Sequence, residues 1–218
     1  MKTAYEYAIH LPANYDRDKK YPTIFTLHGK GSDENNMYHL VEPLNEQFII
    51  VGIRGNVRLG MGYQYYVLKS LGNPIREMFD LAIQDLELFI SYATDRYSID
   101  ANKRYLLGFS QGAILSMSLA LTMGHQLKGI VALNGYVPHF VKAEYSLQSV
   151  EDVSMFISHG EHDSVFPVKI GYETAEYFQK KTSHITFNIY PSDHGVIEEN
   201  RNDFVEWLMQ DSGVSMND

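Results

Sequence analysis

The chain has 218 residues, 44% of them hydrophobic and 21% charged, which suits one folded domain and excludes a disordered chain or a coiled coil. It has no cysteine, so disulfides, thiol catalysis and cysteine-ligated metals are ruled out, and a reducing compartment fits. The formal net charge of −9 argues against nucleic acid or an anionic membrane surface as a partner, because each needs a basic face.

The N-terminal residues lack the apolar run of a signal peptide, and no window reaches the roughly 18 apolar residues of a membrane span. A cytoplasmic protein without stable membrane insertion is expected. No repeat or linker divides the chain, so a single domain over 1–218 is expected, with 211–218 as a polar, flexible tail. Oligomeric state is left open, a homodimer included.

Tyr5, Tyr7, Ile9 and Leu11 alternate with smaller or polar residues, the pattern of a half-exposed strand at a sheet edge or on an antiparallel hairpin. Segments 23–27, 48–53, 105–107, 130–133 and 153–157 are short apolar runs, the mark of strands buried on both faces of a parallel sheet. Between them lie helical patterns. Ile75, Met78, Phe79, Ala82, Ile83, Leu86, Phe89, Ile90 and Ala93 share one face. Val168, Tyr172, Ala175 and Phe178 repeat the spacing after Pro167, and Ile197, Phe204, Val205 and Leu208 form a last amphipathic stretch. Strands alternating with helices predict an α/β fold: a mostly parallel central sheet with helices on both faces. Ligands of such sheets bind beyond the C-terminal ends of the strands, so the residues after each apolar run are the place to look for chemistry.

Gly108-Phe109-Ser110-Gln111-Gly112 joins a predicted strand to a predicted helix and matches the G-x-S-x-G nucleophile elbow. The glycines allow the close backbone approach of a sharp turn, which pushes the serine out over the sheet at a helix N-terminus. A plain helix cap would also use serine, with glycines in a tight turn, but the strand read at 104–107 and the helix read at 113–121 favour the elbow. His28-Gly29-Lys30-Gly31 follows another strand. Ester hydrolysis passes through a tetrahedral oxyanion that needs preorganised N–H donors, and the backbones of Lys30 and Gln111 are the candidates. A phosphate loop fails here because Gly31 stands where Ser or Thr is required and Ile24 where Gly is required.

His159-Gly160-Glu161-His162-Asp163 and Asp193-His194-Gly195 each follow a strand. The order Ser110, Asp163, His194 is that of α/β-hydrolase triads. Histidine can take the serine proton, and a carboxylate on its other nitrogen fixes its tautomer. Asp193 is a rival acid, but sequence neighbours seldom point at each other as required. His159, His162 and Asp163 raise a zinc alternative, which would leave the elbow unexplained.

In order, the segments 27–34, 108–113, 133–138, 159–167 and His194-Gly195 resemble the carboxylesterase/phospholipase group of α/β-hydrolases, which includes acyl-protein thioesterases. The resemblance implies the α/β-hydrolase fold, triad roles for Ser110, Asp163 and His194, oxyanion roles for Lys30 and Gln111, and no cofactor; no metal is expected either, because side chains and backbone N–H groups fill every role. The chain departs from it at Asp193, where the family often has glycine. The insert 58–66 corresponds to a variable substrate-side loop; its Met61, Tyr63 and Tyr65, with Val165, are the candidate pocket residues. The expected function is a serine hydrolase for small-molecule esters or thioesters with short to medium acyl groups. Lysophospholipase activity and a non-catalytic binding module on the same fold are the alternatives. The acidic net charge predicts a preference for neutral substrates over anionic ones.

Overall fold

The computed structural model describes residues 4–214. Its centre is a sheet of seven strands in the order β1-β3-β2-β8-β9-β10-β11. These are β1 (Tyr7–His10), β2 (Tyr21–Leu27), β3 (Ile49–Ile53), β8 (Ile99–Phe109), β9 (Gly129–Leu133), β10 (Ser154–Gly160) and β11 (Ile185–Tyr190). All neighbours pair in parallel except β1, which runs antiparallel to β3 at the edge. β1 takes the antiparallel edge position that its pattern predicts, and all four of its residues are half-buried.

The apolar runs have a direct physical reading. Successive side chains on a strand point to opposite faces. Phe25, Val51, Leu106, Ile130 and Met155 enter one core, and Ile24, Ile50, Tyr105, Val131 and Phe156 enter the other. Both faces are dry, so both sets must be apolar. On the first face pack α2 (Arg76–Arg96), α3 (Gln111–Met123), α4 (His139–Glu144) and α5 (Val168–Gln179), through residues such as Phe79, Leu115, Val141 and Phe178. On the second face pack α1 (Tyr38–Val41) and α6 (Glu198–Ser212), through Leu40, Phe204 and Leu208. Among the described residues no helix is long and apolar enough to cross a membrane.

Two small hairpins lie between β3 and α2, where the sequence reading left a loop. The first pairs β4 (Val57–Leu59) with β5 (Gly62–Gln64), and the second pairs β6 (Leu68–Ser70) with β7 (Asn73–Pro74).

The C-terminal expectation needs correction at its start. Asp211 and Ser212 are helical, and residues 215–218 lie outside the described part. The reason is a half-buried polar contact: the Tyr105 hydroxyl donates to Asp211 Oδ2 at 2.8 Å and the Ser154 hydroxyl donates to Oδ1 at 2.6 Å. The helix then stops at Gly213, whose φ of +68° is the left-handed conformation that ends many helices.

Phe79 tests the first core. It is fully buried and meets the rings of Tyr66 and Phe140 edge-on, with centroids 4.8 and 5.1 Å away. Phe79→Ala is expected to cost about 3–5 kcal/mol in urea unfolding. Leu88→Ala on the same helix, where the side chain is 65% exposed, is expected to change stability by no more than about 0.5 kcal/mol.

Candidate active site

Ser110 sits between β8 and α3 with φ 52° and ψ −113°, a region that non-glycine residues avoid. Close packing holds it there. A Cβ on Gly112 would lie 1.9 Å from the Leu27 carbonyl oxygen, and one on Gly108 would lie 2.2 Å from the Gly112 carbonyl oxygen. Neither position can carry a side chain without moving backbone, which is why the motif has glycine at both. The Ser110 N–H donates to the Leu133 carbonyl at 2.9 Å, tying the turn to β9.

His194, in the loop after β11, approaches from the other side. Its Nε2 is 2.8 Å from Ser110 Oγ and its Nδ1 is 2.7 Å from Asp163 Oδ2. An ionised carboxylate only accepts, so the proton lies on Nδ1 and Nε2 is free to accept from the serine. The ring is flanked by Phe109 and Phe166, at centroid distances of 5.1 and 5.3 Å. The structure thus brings together the three residues that the motif order singled out.

Asp163 is closed off from solvent, yet its carboxylate is well satisfied. Oδ1 accepts from the N–H groups of Val165 and Phe166, each at 2.8 Å. Oδ2 accepts from Asn134 Nδ2 at 3.0 Å as well as from His194. Burial by itself would raise this carboxyl, but the hydrogen bonds from Asn134, His194 and the Phe166 N–H, with the attraction of the His194 ring, outweigh it and hold it below the usual carboxylate range. Asp193, the rival acid, is exposed; its backbone carbonyl accepts from Gly195 N–H, and His194 turns to Asp163 instead.

The turn after β2 lies beside the serine: a Cβ on Gly29 would be 3.6 Å from Ser110 Cβ. Lys30 is at its exposed apex. The turn is pinned from outside, because Gly31 N–H donates to the Tyr63 carbonyl at 2.7 Å and Tyr63 N–H donates to the Ser32 carbonyl at 2.8 Å. His28 supports it from beneath. Its Nδ1 donates to the Gly29 carbonyl at 2.7 Å and its Nε2 accepts the Gly55 N–H at 2.9 Å. Burial, opposed by the bond to Gly29, pushes the His28 ring below the ordinary histidine range. Gln111 opens α3, so its N–H has no acceptor within the helix.

The four candidate pocket residues divide. Val165 is half-buried and gives its N–H to Asp163. Met61 is 97% exposed at the tip of the first hairpin. The Tyr63 ring lies under the Arg54 guanidinium, 4.2 Å from its centroid, and its backbone holds the Gly31 turn. Tyr65 is corrected from pocket wall to framework: it is 1% exposed, and its hydroxyl donates to the Ile53 carbonyl at 2.6 Å while accepting from His28 N–H. The candidate zinc cluster does not converge. His162 points outward with its side chain 71% exposed, while the His159 ring turns to the Phe166 carbonyl. Among the described residues, no group of three or more such side chains could hold a metal ion.

Three residues of this site escaped the sequence reading as functional positions: Asn134, Phe166 and the side chain of Gln111. Asn134 had a signal. It is a polar residue directly after the wholly apolar β9, and its amide donates to Asp163.

A parallel sheet carrying these groups at the C-terminal ends of its strands is the architecture of the α/β-hydrolases. Residues 13–210 match the phospholipase/carboxylesterase family, and the chain belongs to that family. It is 26% identical to acyl-protein thioesterase 1 of Candida albicans over 226 residues, which covers 92% of this chain and 96% of that one. It is also 26% identical to acyl-protein thioesterase 1 of Debaryomyces hansenii over 151 residues, where the match spans 65% of that protein's length and 66% of this chain. Among solved structures, the carboxylesterase of Bacillus cereus superposes with a TM-score of 0.83, covering 95% of this chain and 94% of that one at 21% identity, a likeness of fold.

The lowered Asp163 carboxyl makes a stability prediction. A group held below its unfolded value of about 3.9 stabilises the fold above that pH, and this is lost as pH falls through the folded value. The wild-type chain is therefore expected to be more stable than Asp163→Asn at neutral pH, with the gap shrinking below about pH 4. Urea unfolding of both proteins between pH 7 and pH 3 checks this; a gap that is constant with pH contradicts it.

Proposed function

We propose that this chain hydrolyses carboxylic esters or thioesters of short to medium acyl groups, through an acyl-enzyme on Ser110. The observation that carries the reading is the unbroken line from Ser110 Oγ through His194 to Asp163, with contacts of 2.8 and 2.7 Å. The names of the relatives, thioesterases and carboxylesterases, support the same chemistry.

In the reaction, Ser110 Oγ attacks the carbonyl carbon as its proton passes to His194 Nε2. Asp163 holds the ring in the required tautomer and stabilises the imidazolium. The carbonyl π bond opens to an oxyanion that accepts from the N–H groups of Gln111 and Lys30. When it collapses, the bond to the leaving group breaks, and His194 returns its proton to the departing alcohol or thiol. Water then attacks the acyl-serine by the same route, with His194 again taking and returning one proton, and the carboxylic acid leaves. Side chains and backbone N–H groups fill every role, so the reading needs neither metal nor cofactor. The partner is a small-molecule ester or thioester, with no place for nucleic acid or for a membrane-inserted segment.

The strain at Ser110 speaks against a binding module without catalysis. A non-glycine residue held at positive φ costs on the order of 1–3 kcal/mol, and such strain persists where function uses it. Lysophospholipase activity stays within the same chemistry.

Two experiments test the reading. An activated phosphonate is expected to add once, on the peptide containing Ser110, and Ser110→Ala to lose at least ~10³-fold in kcat. Labelling elsewhere, or a variant of near-normal rate, refutes the nucleophile. A panel of neutral esters, thioesters and lysophospholipids graded by acyl length is expected to show the highest kcat/KM for neutral substrates with short to medium chains. A maximum on long-chain lysophospholipid would move the function to that alternative.

A further inference from the structure

His159 is a buried ionisable side chain that the proposed reaction does not use. It lies near the end of β10 and is 1% exposed. Its Nε2 is 2.7 Å from the Phe166 carbonyl oxygen. A carbonyl only accepts, so the ring proton is on Nε2. The same nitrogen is 3.5 Å from Asp163 Oδ2, a longer contact. Nδ1 is buried and meets no hydrogen-bond partner among the described residues. The ring therefore makes one good bond, at its ε position. Helix α5 presses it into place, since a Cβ on Gly171 would lie 2.8 Å from His159 Cβ and Cγ.

What that bond holds is the turn from 163 to 166. The Phe166 N–H donates to Asp163 Oδ1, and the Phe166 ring meets His194 edge-on at 84°. The other side of that ring environment is Tyr136, at 5.1 Å and 80°. One residue, Phe166, thus supplies a donor to Asp163 and a wall to His194, and its carbonyl is held by His159. An apolar residue at 159 would leave that carbonyl without its donor, at the cost of an unsatisfied buried acceptor or a rearranged turn.

We propose that His159 is a positioning residue: its Nε2–H, through the Phe166 carbonyl, sets the turn that aims Asp163 and His194 at Ser110. This rests on the triad reading above. His159 touches no reacting atom; it acts through Asp163 and Phe166. The requirement is for a donor at the ε position, which a glutamine amide supplies, an asparagine amide at the δ position does not, and leucine lacks.

The test compares His159→Leu, His159→Asn and His159→Gln in the full chain. His159→Leu is expected to lower kcat on the order of 10²-fold, the scale of a misplacement near 1 Å, with KM little changed. His159→Gln is expected to restore most of the rate and His159→Asn is not. The downfield proton NMR signal of His194 Nδ1–H reports the same geometry without turnover; it is expected to shift or broaden in His159→Leu and to stay in His159→Gln. Wild-type kcat in His159→Leu, equal impairment of the Gln and Asn variants, or lost activity with the His194 signal unmoved each overturns the proposal. If His159→Leu does not fold, the Gln and Asn pair decides alone. Ser110→Ala is assayed alongside: an active Ser110→Ala removes the triad reading itself, whereas an inactive one beside a fully active His159→Leu removes this proposal and leaves the triad reading standing.

Discussion

The structure depends on one steric constraint, the contact of α3 with the end of β2. Gly112 lies so close to the Leu27 carbonyl that no side chain fits between them, and Gly108 is equally close to Gly112. That contact folds the chain back within two residues of the end of β8 and leaves Ser110 at positive φ. It also fixes where everything else must come. The turn after β2 arrives beside Ser110 because β2 and β8 are hydrogen-bonded neighbours, paired from Thr23 with Arg104 to Leu27 with Gly108. Asp163 and His194 arrive because β10 and β11 end at the same edge of the same parallel sheet. Parallel strands collect their C-terminal loops on one side, so a constellation scattered over 84 residues of sequence becomes contiguous.

The second constraint is electrostatic. A carboxylate this well buried is tolerable where it is paired and hydrogen-bonded. Asp163 has four close donors from three places: the backbone two and three residues on, Asn134 at the end of β9, and His194 after β11. Losing any one donor leaves a charge in a dry setting with lone pairs unmet. The acid is thus a knot in the fold as much as a part of the site.

These two constraints explain what the sequence disclosed. The strands were legible because both faces of the sheet are dry, and the helices α2 and α5 because one face of each is. The sharp turn at Ser110 was legible because its steric demand is local: two glycines flank a serine between a strand and a helix. Asn134, Phe166 and His159 carry no such local demand. Their roles come from the neighbours that β9, β10 and α5 supply, and spacing along the chain does not report those. The same limit misplaced Tyr65, an aromatic in a glycine-rich insert that looks like a pocket wall until the Ile53 carbonyl and His28 N–H claim its hydroxyl. It misplaced Asp211 as well, polar in sequence but bound to Tyr105 and Ser154 from distant strands. The hairpins of 57–74 were missed because their strands are two or three residues long, too short for an alternation to show.

Gln111 shows how the two hairpins are joined to the start of α3. Its backbone N–H is the proposed oxyanion donor, while its side chain faces the segment between the hairpins. Its Oε1 accepts the Tyr65 N–H at 2.8 Å and its Nε2 donates to the Tyr66 carbonyl at 3.0 Å. Tyr65 and Tyr66 are both buried in the first core. Both hairpins therefore extend from a segment that the first residue of α3 grips by backbone alone. Backbone gripping is indifferent to the side chains carried further out. Met61 and Leu71, at the two tips, are 97% and 63% exposed and contribute little to the core. Changes at those tips leave the bonds that hold the Gln111 side chain as they are. The residues at the tips can in this way differ without disturbing the bonds around Gln111, and a motif that reports those bonds does not report the tips.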